Sequence, residues 1–127
     1  MKRAPLLLAL VAPVAWACGV CVEDKVAATY DYAVVQRALA RGQVVVYCEL
    51  SGRLDAAQLR RAAVKVPALD AASLRLSVEP PALSFALDSA RQSPGAAVAA
   101  LQHALPAGTH VHMIRVATAK GLQTATR

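Results

Sequence analysis

The chain is poor in aromatic residues, with one Trp, three Tyr and one Phe among 127. It has only six Gly and three Cys. A core built on large rings is excluded. So is a glycine-rich phosphate cradle, and neither a G-x-S-x-G nor an H-E-x-x-H pattern occurs. Apart from Glu23-Asp24, acidic residues are spread singly, without an obvious general acid and base pair. The sequence therefore points away from an enzyme. It also lacks a long apolar run, although hydrophobic residues make up 57% of it. The longest uncharged candidate at the start, Ala4 to Ala17, covers 14 residues, and a bilayer needs roughly 20.

That stretch follows Lys2 and Arg3 and ends in Ala15-Trp16-Ala17, a small-x-small site after a basic opening. It reads as an export signal over residues 1–17, which places the remainder in the periplasm or another exported location without a membrane span. Cleavage would leave Cys18 at the new N-terminus and raise the question of a lipid anchor there. Trp16 stands where the lipobox pattern asks for a small residue, and argues against acylation. The net charge of +6 is carried by scattered cations, of which only Arg60 and Arg61 adjoin beyond the opening Lys2-Arg3. With no basic stripe and no interleaved aromatics, nucleic acid is not an expected partner.

What is abundant is alanine, 29 of 127 residues. The mature chain shows regular patterning. Val22 to Arg41 has apolar residues at helical spacing, acidic residues in its first turn, basic ones in its last, and Gly42 as a stop. Gln43 to Leu50 reads as a strand with Val44, Val46, Cys48 and Leu50 on one face. Asp55 caps a helix reaching Val66, with Arg60, Arg61 and Lys65 toward solvent. Leu74 to Glu79 and Leu83 to Asp88 alternate on either side of Pro80-Pro81, the pattern of a hairpin with one buried face. Ser93-Pro94 starts a second helix, and Thr109 to Val116 is a last strand. Residues 118–127 show no periodicity and read as a disordered tail. The order over 43–117 is β-α-β-β-α-β, which predicts an α+β, ferredoxin-like fold with two helices on one face of an antiparallel sheet. The polar alternates of the hairpin predict a sheet covered on that side only. Residues 18–42 read as a CxxC segment and an appended helix.

Two stretches carry a family resemblance. Leu50–Val78 (LSGRLDAAQLRRAAVKVPALDAASLRLSV) and Ala82–Leu105 (ALSFALDSARQSPGAAVAALQHAL) resemble the heavy-metal-associated (HMA) domain, the small ferredoxin-like module of copper chaperones and metal-pumping ATPases. The resemblance implies that fold and, in the family, soft-metal binding by a Cys-x-x-Cys in the first loop. Here the corresponding loop is Ser51-Gly52-Arg53-Leu54, and it offers no thiolate.

A CxxC stands elsewhere, at Cys18-Gly19-Val20-Cys21, just before the first helix. Two sulfurs at this spacing chelate one soft ion, Cu(I) or Zn²⁺, or close a structural disulfide, and both readings stand. A helix N-terminus favours the thiolate of a nearby cysteine. A thioredoxin-type exchange pair is the weaker third reading, since that motif should follow a strand. Cys48 reads first as a small buried apolar residue. A bridge between it and Cys21 or Cys18 is the alternative. His110 and His112 share one face of the last strand, and with Cys48 they make a second, weaker candidate metal set. Against it stands the simpler reading of two solvent-facing histidines. Met113 reads as core and His103 as a helix C-terminal charge. The expectation is an exported soft-metal carrier or sensor-like module. Its rival is an interaction module for an envelope protein, with a disulfide in place of the metal.

Overall fold

The computed structural model describes residues 21–124. The expected signal segment and Cys18 lie outside the described residues. Helices α1 (Val22–Thr29) and α2 (Tyr32–Ala40) are followed by β1 (Val44–Gly52), α3 (Ala56–Val64), β2 (Leu69–Val78) and β3 (Pro81–Leu87). Helix α4 (Pro94–Ala104) and strands β4 (Thr109–Thr118) and β5 (Gly121–Thr124) come next. The fold is α+β, and its antiparallel sheet has the order β2-β3-β1-β4-β5.

Local chemistry sets the helix ends. Asp55 accepts from the N–H groups of Ala57 and Gln58, and Ser93 from that of Ala96, so both expected N-caps form. Gly42 takes the left-handed conformation (φ +72°) that follows a helix end. The single helix expected over Val22–Arg41 is instead two. Asp31 is extended and its carboxylate accepts from Val34 N–H, so it caps α2 and ends continuity with α1. Apolar spacing runs across this junction without a break, because both helices bury the same side.

They bury it on the sheet. Val44, Val46, Cys48 and Leu50 do share a face, packed under α3 and α4 with Leu83, Phe85, Leu87 and Leu101. The opposite face of β1, with Val45 and Tyr47, lies under α1 and α2 with Val26, Val35 and Ala38. The expectation of a sheet covered on one side is therefore overturned. Ser84, which looked like a solvent-side alternate, is buried, and its hydroxyl donates to the Thr29 carbonyl at 3.1 Å. Serine satisfies the helix end above it, so a polar alternate is compatible with a covered face. Val44 to Cys48 of β1 is an unbroken apolar run because both of its sides are buried.

Three ion pairs fasten the α1–α2 layer to three different strands. Lys25 pairs with Glu49 of β1, Asp31 with Arg75 of β2 at 3.0 Å, and Glu23 with Arg115 of β4 at 2.6 Å. The carboxyls of Glu23 and Asp31 both lie below their ordinary values. For Glu23 the cause is the hydrogen bond from Arg115, and for Asp31 it is first the Val34 N–H and then Arg75. Tyr47, enclosed beneath this layer, is pushed up to about 12 by desolvation.

Two further departures follow from backbone. Strand β4 has a bulge opposite Tyr47 and Cys48, which pair with Arg115 and Met113 and leave Ile114 as the extra residue. The tail expected to be disordered from Thr118 instead turns at 119–120, and Gly121–Thr124 adds a fifth strand beside β4. Four residues are too few for alternation to register as a strand signal.

Candidate functional site

The loop where the HMA resemblance would put thiolates is closed by backbone contacts. Gly52 has φ +83°, and a Cβ there would stand 1.8 Å from the carbonyl oxygen of Gly108. Arg53 N–H donates to that same oxygen at 2.9 Å, and the Thr109 hydroxyl donates to the Arg53 carbonyl at 2.6 Å. Gln102 bridges the next positions, donating to Thr109 O and accepting from Val111 N–H. Ser51 to Leu54 thus form a tight structural crossing.

Cys48 lies in the α3–α4 side of the core and is fully buried. Desolvation, more than the neighbouring Glu49, pushes its thiol up, which keeps it protonated and inert. His110 and His112 are exposed and share a face as expected, opposite Ser51 and Glu49. That face is the α1 side, since Val111 and Met113 between and beside them pack into the α3–α4 core. The combination of Cys48 with His110 and His112 is therefore not assembled, because the sheet separates the thiol from the imidazoles. Met113 packs against the core, in line with expectation. His103 is exposed in the last turn of α4.

Cys21 is exposed and is the N-cap residue of α1, its backbone carbonyl accepting from Asp24 and Lys25 N–H groups. Glu23 and Asp24 stand in the first turn. No disulfide joins Cys21 to Cys48. The geometry agrees, since Cys21 opens a helix on one side of the sheet and Cys48 is buried on the other. Cys18 lies outside the described residues. Within them, no three His, Cys, Asp or Glu side chains gather as a metal-binding group, and no helix is long and apolar enough to cross a membrane.

Comparison of the chain with family models, with curated proteins and with solved structures gave no match. The chemistry available is therefore that of its own residues. One cysteine is accessible at a helix start, on a helix fixed to the sheet by charge. The signal for that anchoring was present as Glu23, Lys25 and Asp31, but a strand partner for each could not be read without the fold.

Proposed function

We propose that this protein is an exported soft-metal-binding module, a periplasmic carrier or sensor-like domain that takes Cu(I) or Zn²⁺ through Cys18 and Cys21. Its β1-α3-β2-β3-α4-β4 unit is ferredoxin-like and of HMA type, with the family's loop site lost and the thiol pair moved to the N-terminal segment. The observation that carries the reading is the exposed Cys21 at the head of α1. Burial of Cys48 behind the sheet removes it as a competing thiol and leaves the CxxC as the only even pair. A CxxC pair at a helix start has the spacing and the local field that favour thiolate ligation of a soft ion.

Anaerobic titration of the reduced protein with Cu(I) and with Zn²⁺, beside a Cys18→Ser/Cys21→Ser variant, tests this. Stoichiometric binding that disappears in the variant supports it, and absence of binding by the unaltered protein overturns it. The same burial of Cys48 favours a second reading, an interaction module whose Cys18 and Cys21 form a structural disulfide. Thiol counting in denaturant on protein taken from the periplasm separates the two. One thiol indicates the disulfide, and three indicate a reduced, metal-ready pair.

A further inference from the structure

On the α1–α2 side Lys25, Arg75 and Arg115 each meet a carboxylate, whereas Arg37 and Arg41 at the end of α2 form no ion pair among the described residues. On the other side Arg60, Arg61 and Lys65 are exposed along α3, and none of them forms an ion pair among the described residues. Arg61 and Lys65 are four apart on the helix, a like-charge spacing that works against α3 itself. Helix α4 brings no acid to compensate, since Pro94–Ala104 contains neither Asp nor Glu. Asp55, the acid of this helix start, is spent on capping the first turn.

A groove of about 300 Å³ lies between these helices. Arg61 and Lys65 border it, while Ala62, Ala104, Leu105 and Pro106 give it an apolar floor. Val64 is 70% exposed on the same helix, between the cations. Uncompensated charge at the rim and apolar surface below are complementary to a chain that alternates carboxylates with an apolar side chain. The concave shape fits an inserted segment better than a planar bilayer.

We propose that the α3–α4 groove docks an acidic segment of a partner protein, with its carboxylates on Arg61 and Lys65 and an apolar side chain on the Ala62–Leu105 floor. This holds whether or not Cys18 and Cys21 take a metal. The probe is a fluorescein-labelled hexapeptide of alternating glutamate and leucine, followed by anisotropy with the purified protein. Saturable binding is expected, weakening about tenfold or more in Arg61→Glu/Lys65→Glu. The same charge change on the opposite layer, Arg37→Glu/Arg41→Glu, should alter it by no more than about twofold. The milder Lys65→Gln, with an unchanged thermal melt, should also weaken it and separates lost docking from lost folding. Equal loss in both double variants would reduce the effect to net charge and overturn the proposal. So would no binding by the unaltered protein, or binding to phosphatidylglycerol vesicles with none to the peptide.

Discussion

The two helical layers on this sheet are held by different physics. Beneath α3 and α4 lies a cluster with Phe85, Leu83, Leu87, Leu101 and Cys48, and no ion pair among the described residues crosses it. Beneath α1 and α2 the cluster is smaller, built on Val26, Val35, Ala38, Val45 and Tyr47, and three ion pairs surround it. Burial supplies non-directional stabilisation that scales with apolar area, whereas partly exposed ion pairs add little free energy but define where a helix sits. The α3–α4 side is thus the stability core. The α1–α2 side is an attached layer whose position is specified by charge, and it carries the CxxC.

The largest effect should come from the core. Phe85→Ala should cost about 3–5 kcal/mol, and Val35→Ala under α2 about 1–3 kcal/mol, read as shifts in the urea unfolding midpoint. A larger loss for Val35→Ala would invert the comparison. Gly52→Ala, at the crossing with Gly108, should cost roughly 3 kcal/mol because it combines a left-handed backbone with a direct clash. A melting temperature unchanged by that substitution would mean the crossing opens freely.

Smaller changes probe the attached layer. Thr29 is buried, and its hydroxyl has no hydrogen-bond partner among the described residues. Thr29→Val keeps the shape and removes the orphan, and should stabilise by about 1 kcal/mol in the same denaturation assay. Acid should loosen this layer locally. Glu23 and Asp31 are depressed below their ordinary 4.5 and 3.8. Their stabilising contribution is therefore complete above those values and is lost as pH falls through the lower folded ones. Amide exchange should show α1 protection falling between pH 7 and pH 3 more than α3 protection. Equal change in both helices would show that the ion pairs do not govern the attachment.

Most strands and caps were legible in the sequence because their signals are local. Asp55, Ser93-Pro94 and Gly42 act within one turn, and the alternation of Leu83, Phe85 and Leu87 reports one buried face directly. What could not be read was which surface lay over the alternate residues. Ser84 and Arg75 look the same to a periodicity argument whether they meet water or a helix, and only the Thr29 carbonyl and the Asp31 carboxylate decide it. The weaker site failed for a related reason. His110 and His112 were correctly put on one face, but Cys48 belongs to the opposite parity of its own strand, and pairing register is set by tertiary contacts. Cys21 at a helix start was legible because a cap is a local feature.

The extra residue in β4 changes the phase of that strand. Before Ile114 the odd positions Val111 and Met113 face the α3–α4 core, and after it the even Val116 does. The strand therefore gives two apolar residues to one side and then presents Arg115 to Glu23 on the other. Without the bulge Ile114 would pair with Tyr47, and the whole downstream half would swing by one step. That would turn a guanidinium toward the apolar core and a valine toward the acid on α1. One unpaired position thus determines that the layer carrying the thiol segment finds a positive charge where its first turn arrives.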